Sequence, residues 1–182
     1  FDNVISCYIL IIPLVIFWIA SLFGYTAKWL YLFTGGWFIG FYSLSFIICA
    51  ANIPYFEYFF KIINSSIFNW FGYAGTTAGM IFGETSYYFP IGLGIVSIAL
   101  WGIGVHLWSK KCYELSLQIS PTPQIKERIV TFMAGLLCVG LCLFGIRGRM
   151  GYNPIKVSQA YYCEDPFLNQ LGVSPVFNLL TS

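Results

Sequence analysis

The sequence predicts an all-α membrane protein, and two observations support this fold class. Only 9% of the residues are charged and 58% are hydrophobic, whereas soluble domains carry roughly 25% charged residues. A soluble fold of 182 residues cannot bury so much apolar surface. The apolar residues also form four long runs, each close to the roughly 20 residues that a helix needs to cross a membrane.

The four predicted spans are residues 4–23, 29–51, 89–108 and 129–146. Pro13 is expected to kink the first span and to free a main-chain carbonyl, which a neighbouring helix can satisfy. The short turn 24–28 joins the first two spans into an antiparallel hairpin. In the second span, Gly36 and Gly40 form a GxxxG pair that allows a close helix contact, either within the chain or in a dimer.

The long segment between the second and third spans predicts an external amphipathic helix. Residues 52–88 contain three charges, at Glu57, Lys61 and Glu84. Apolar and aromatic residues recur near helical spacing from Tyr55 to Phe71, which favours a helix lying on the membrane surface. The glycine-rich stretch 72–84 is predicted to be a flexible turn or a re-entrant loop.

The loop between the third and fourth spans predicts the orientation. Residues 109–128 carry four basic side chains, and the positive-inside rule therefore makes this loop cytoplasmic. Pro121 and Pro123 are expected to prevent one continuous helix here. The N-terminus, residues 52–88 and the tail after Ile146 are then external.

No catalytic motif is complete in this sequence. His106 is the only histidine and is predicted to be an interfacial residue, so no metal site is expected in this chain. The six cysteines show neither metal nor disulfide spacing. No charged residue lies near the middle of a span, which argues against an ion-coupled transporter. The net charge of +2 gives no reason to expect a nucleic-acid partner.

Three charged residues are the site candidates. Asp2 precedes the first span, while Arg147 and Arg149 follow the fourth, so all three are expected at headgroup depth on one side. Arginines there can bind lipid phosphate in a bidentate manner or dock an external domain. The alternative is interfacial anchoring or an Arg–Asp pair. The sequence therefore divides into a transmembrane domain, 1–147, and an extended external linker, 148–182.

Several short motifs lie at the start of the chain, in one outer segment and in the tail. They are Phe1-Asp2, Asn52-Ile53-Pro54-Tyr55-Phe56, Ile146-Arg147-Gly148, Asn153-Pro154, Ala160-Tyr161-Tyr162, Phe167-Leu168-Asn169 and Pro175-Val176-Phe177. In these motifs the chain resembles lipoteichoic acid synthase-like proteins of the sulfatase/alkaline phosphatase superfamily. The tail is the most specific part, and the abundance of Phe and Tyr resembles the Bacteroidetes branch.

The resemblance implies a five-helix bundle in the bacterial cytoplasmic membrane, from which this chain lacks the first helix, followed by an external catalytic domain. It implies transfer of phosphoglycerol or a related group from a lipid headgroup. A threonine nucleophile and a divalent metal, expected to be manganese, would belong to that domain. The expected partners of this chain are membrane lipids and its own catalytic domain, and no catalytic residue is expected before Ser182.

The leading hypothesis is thus the membrane anchor of a lipid-headgroup phosphotransferase, present as a fragment. Two alternatives stay open. The chain could anchor a membrane-bound sulfatase or phosphodiesterase, or it could form a non-enzymatic membrane bundle or scaffold.

Overall fold

A computed structural model describes residues 1–118 and 124–182, and in these ranges it contains helices and no β-strand. The α-helices there are α1 (Asp2–Leu22), α2 (Lys28–Phe59), α3 (Ala74–Gly83), α4 (Tyr88–Ser116), α5 (Ile125–Arg147), α6 (Pro166–Leu171) and α7 (Pro175–Thr181). Short 3₁₀ helices cover Ser65–Tyr73, Thr85–Tyr87 and Val157–Ala160.

Within the described residues, four helices, α1, α2, α4 and α5, are long and apolar enough to cross a membrane, as the four predicted spans require. The helices extend beyond the predicted spans. With 32 residues in α2 and 29 in α4, these helices are about 48 and 44 Å long, against about 30 Å of hydrocarbon. The last turns of α2 and α4 therefore project past the predicted ends at 51 and 108.

The cytoplasmic loop of the prediction is partly helical. Helix α4 continues through its two lysines to Ser116. Helix α5 begins at Ile125, where the Glu127 carboxylate accepts a hydrogen bond from Gln124 N at 2.9 Å in a capping box. This cap starts the helix four residues before the predicted span. Pro121 and Pro123, which were expected to prevent one continuous helix in this loop, lie outside the described residues.

The chain divides into two compact units, one of which comprises residues 3–42 and 100–154. In this unit α2 runs antiparallel to both α1 and α4. The rings of Phe17 and Tyr31 lie 5.0 Å apart, while Ser109 Oγ donates to the Tyr31 carbonyl at 2.8 Å. Further along, the rings of Tyr42 and Trp101 lie 4.8 Å apart.

Pro13 lies inside α1, and a side chain of α2 replaces the main-chain hydrogen bond that this proline removes. Proline has no N–H, so the carbonyl of Ile9 loses its helical partner. The indole Nε1 of Trp37 donates to this carbonyl at 2.9 Å. The prediction that a neighbouring helix satisfies the freed carbonyl is confirmed, and the neighbour is the second arm of the same hairpin.

Glycines make the close helix contacts in this unit, although not the predicted pair. A Cβ at Gly36 or Gly40 would meet no heavy atom within 4 Å, whereas a Cβ at Gly35 would lie 3.1 Å from Ser109 Oγ. The side chain of Trp18, on α1, covers Gly135 of α5 so closely that a Cβ at Gly135 would overlap the indole ring. Gly35 and Gly135 therefore allow the approaches that were expected from the GxxxG pair.

The second unit comprises residues 1–2, 43–99 and 155–182. The amphipathic helix predicted through Tyr55 and Phe71 is wrong as one continuous element. Helix α2 ends at Phe59, because Phe60 adopts the left-handed region with φ 53°. That conformation is uncommon for a bulky residue and reverses the chain before the 3₁₀ helix at Ser65. The flexible or re-entrant stretch predicted at 72–84 instead contains α3.

The tail is folded rather than extended, which corrects the predicted linker. Helices α6 and α7 each begin with a proline in the first turn. Val176 and Phe177 of α7 are buried, and Phe177 packs against Phe1 with ring centroids 4.8 Å apart. The tail thus has its own small core within this unit.

Candidate functional site

The candidate site is the exit turn, residues 147–152, which follows α5. Gly148 has the left-handed φ of 71°, and its N–H donates to the Phe144 carbonyl at 3.2 Å. Glycine is the residue that ends helices in this conformation at little steric cost. This glycine stops α5 directly after Arg147 and turns the chain aside.

Arg147 holds the exit turn closed. Its Nη2 donates to the carbonyls of Gly151 and Tyr152, at 2.6 and 2.7 Å. Because Nη2 has two hydrogens, these bonds use both of them and leave three N–H groups of the guanidinium. The positive charge also complements the negative C-terminal end of the helix dipole.

The guanidinium of Arg149 lies against Gly151 of the turn. A Cβ at Gly151 would overlap the Arg149 guanidinium, so the absence of a side chain allows this arginine to lie flat on the main chain. Within its own compact unit, Arg149 has no hydrogen bond or ion pair to a described residue. A planar group with five N–H donors and no protein acceptor is suited to a phosphate ligand.

The two side chains beside the arginines are the most exposed large apolar groups of the described chain. Met150 is 90% exposed and Tyr152 is 96% exposed. An aromatic ring and an apolar chain next to two cations, at the end of a long apolar helix, are typical of a membrane–water interface. The exit turn therefore combines cations of a type that can bind phosphate with side chains typical of an interface.

The three predicted site residues belong to different parts of the structure. Arg147 and Arg149 lie together in the unit of residues 3–42 and 100–154. Asp2 belongs to the other unit, where it is exposed in the first turn of α1. There its carboxylate complements the positive N-terminal end of the helix dipole.

Sequence reasoning missed the part that Gly151, Met150 and Tyr152 take in the exit turn. The glycine two positions after Arg149 was the available signal, since a second glycine so soon after Gly148 indicates a closely folded main chain. The acceptors of Arg147 could not have been found from sequence, because they are main-chain carbonyls that any residue would provide.

The cysteines and the histidine lie elsewhere. Cys142 is buried on α5, and the Cys7 Sγ of α1 fills the space above Gly145. These side chains pack α1 on α5, as small apolar groups do. His106 is exposed on α4.

Searches of protein-family models, curated proteins and solved structures returned no significant match to this chain.

Proposed function

We propose that this chain is the membrane portion of a lipid-headgroup phosphotransferase of the lipoteichoic acid synthase-like type. In this proposal it lies in the bacterial cytoplasmic membrane, with its tail on the external side. The resemblance of the tail supplies the reaction class. The observation that carries the lipid contact is the Arg149 guanidinium, which has no acceptor among the described residues and lies beside the exposed Met150 and Tyr152.

The two arginines have different tasks in this proposal. Arg147 donates two of its N–H groups to the carbonyls of Gly151 and Tyr152, so it is the positioning residue that shapes the turn. Arg149 keeps all its donors and is the contact to the headgroup phosphate. A bidentate guanidinium–phosphate pair fixes both the position and the orientation of the lipid.

The anchor would contribute to catalysis by concentration and orientation. A catalytic domain tethered to a bilayer meets its lipid substrate at a high effective concentration. By the resemblance, the threonine nucleophile and the divalent metal belong to the domain that follows the tail. No residue of this chain is proposed to bind that metal.

Turnover of lipid tests the headgroup contact. In the full-length gene product, reconstituted in vesicles that contain phosphatidylglycerol, we expect Arg149→Ala to lower kcat/KM by about 10- to 100-fold. This range corresponds to a lost charge-assisted hydrogen bond of about 1.5–3 kcal/mol. Lys156→Ala is the matched control, since Lys156 is another exposed cation of the same tail and its loss should leave turnover unchanged.

A water-soluble phosphodiester separates a headgroup contact from damage to the enzyme. The Arg149→Ala enzyme should hydrolyse this soluble substrate at the same rate as the native enzyme. Unchanged lipid turnover by the Arg147→Ala/Arg149→Ala double variant would refute the headgroup contact.

The coding sequence that follows Ser182 tests the reaction class: a sulfatase-type domain with a threonine nucleophile supports a transferase, and a cysteine or serine in its place supports a hydrolase. A further membrane span would contradict both.

A further inference from the structure

The segment between α2 and α4 lacks charge to an unusual degree. No Asp, Glu, Lys or Arg lies between Lys61 and Glu84. Helix α3, in this segment, has no acidic residue in its first turn, no basic residue in its last turn and no side-chain hydrogen bond at its N-cap. A short helix in water is usually supported by such charges and caps. Water is therefore a poor surrounding for this helix.

The same segment exposes large apolar side chains. Phe82 is 71% exposed and Ile81 is 37% exposed at the end of α3, while Tyr73 just before it is 73% exposed. The tail in the same compact unit behaves differently, because it buries Val176 and Phe177. The unit thus has a core of its own, and the residues at the end of α3 are left outside it.

Both neighbours of the segment are helices suited to a membrane. Helix α2 precedes it and α4 follows it, and each is long and apolar enough to cross a bilayer. Helix α2 runs past the predicted end of its span at 51, whereas α4 begins at Tyr88, next to the predicted start of its own span at 89. The end of α3, with Ile81 and Phe82, is therefore attached to the bilayer boundary through α4. Exposed apolar surface at such a place marks a membrane or protein interaction site.

We infer that the interfacial segment, Ser65–Gly83, lies in the lipid boundary between headgroups and acyl chains, with Ile81 and Phe82 inserted among the acyl chains. The insertion is shallow. A main chain that contains a 3₁₀ helix and irregular turns is not stable when exposed deep in hydrocarbon, and interfacial helices typically enter by about 5–10 Å. The 10 residues of α3 measure about 15 Å, so α3 lying in the boundary plane would need no further penetration.

A fluorophore with quenchers at known lipid depth tests this inference. The chain would carry the environment-sensitive dye NBD on Phe82→Cys, in a background with alanine at the native cysteines, in phosphatidylcholine vesicles. Nitroxide-labelled lipids supply the quencher, at acyl carbon 5 or carbon 12. We expect blue-shifted emission and stronger quenching from carbon 5 than from carbon 12. Ile81→Cys should give the same pattern and guards against a defect specific to one variant.

Two control sites define the range of the measurement. Leu137→Cys, on the exposed apolar surface of α5, should be quenched best from carbon 12 and shows that the long helices have inserted. Ser158→Cys, exposed in the tail, should be quenched from neither depth. Emission at Phe82 that matches Ser158 would overturn the inference. Blue-shifted emission without lipid quenching would also overturn it, because a protein partner would then cover the segment. The inference does not depend on the proposed reaction.

Discussion

At the scale of single residues, tryptophans connect the long helices through main-chain carbonyls. Trp37 donates to the Ile9 carbonyl at 2.9 Å, and Trp101 donates to the Phe38 carbonyl at 3.3 Å. An indole contributes a large apolar surface and a single N–H donor, so it can pack a helix and satisfy a carbonyl at the same time. Aromatic residues make up 20% of the sequence, and this double role explains part of that abundance.

Trp37→Phe isolates the hydrogen bond to Ile9, because phenylalanine keeps a ring but has no donor. We expect a loss of about 1–2 kcal/mol in unfolding free energy, since a lone interhelical bond contributes up to about 1.7 kcal/mol and the carbonyl of Ile9 would be left without a partner. Reversible unfolding in mixed detergent micelles measures this loss.

Pro13→Ala supplies the matched background for that measurement. Alanine restores an N–H at position 13 that can bind the Ile9 carbonyl within α1. In this background Trp37→Phe should cost less than half as much as in the native chain. Equal losses in both backgrounds would show that ring packing, rather than the bond to the freed carbonyl, accounts for the effect of Trp37.

At the scale of elements, the tail is held by side-chain bonds to the chain that follows α2. Asn178 Nδ2 of α7 donates to the Ile63 carbonyl at 2.9 Å. Ile62 N donates to Gln170 Oε1 at 3.3 Å, and Ser65 N donates to Ser182 Oγ at 2.9 Å. These bonds satisfy the main chain at the place where Phe60 has ended α2.

Asn178→Ala should loosen α7 without unfolding the long helices. Removal of one partly buried hydrogen bond costs about 1 kcal/mol, so we expect local opening of α7 to become about five-fold more frequent. Amide hydrogen exchange over residues 175–181 measures this opening. Asn153→Ala, at an exposed tail position, is the control, and equal acceleration in both variants would contradict the proposed role of Asn178.

The sequence predicted the long helices well because the signal for them is local. A run of apolar residues indicates its own helix, and Gly24, which has the left-handed φ of 66°, marked the turn after α1. The end of α2 was not predictable in this way. The helical spacing continues from Tyr55 past Phe60, and only the left-handed main chain of Phe60 interrupts it.

The folded tail was missed for a related reason. Its helices α6 and α7 contain 6 and 7 residues, too few for a hydrophobic period to appear in the sequence. The partners of α7 lie more than a hundred positions away in the chain, since Phe177 packs against Phe1 and Asn178 bonds to the Ile63 carbonyl. In the candidate site, the arginines were predictable from their position after a span, but the acceptors of Arg147 were not.

At the scale of the whole molecule, the predicted orientation can be tested with one pair of sites. Gln118 precedes α5 and Ser158 follows it, so a membrane-crossing α5 places them on opposite sides. In intact cells, and with alanine at the six native cysteines, a membrane-impermeant maleimide should label Ser158→Cys, whereas Gln118→Cys should react only after permeabilisation. The reverse pattern would place the tail in the cytoplasm, and labelling of both sites would mean that α5 does not cross.

The bond from Trp37 to the Ile9 carbonyl also bears on how the chain is made. When α1 leaves the ribosome, Pro13 has already removed the partner of that carbonyl, and the indole that replaces it is not yet synthesised. An uncompensated carbonyl in hydrocarbon costs several kcal/mol, so α1 alone would be a poor substrate for release from the translocon into lipid. Helix α1 should therefore wait beside the translocon until α2 emerges, and the two should enter the bilayer as a pair.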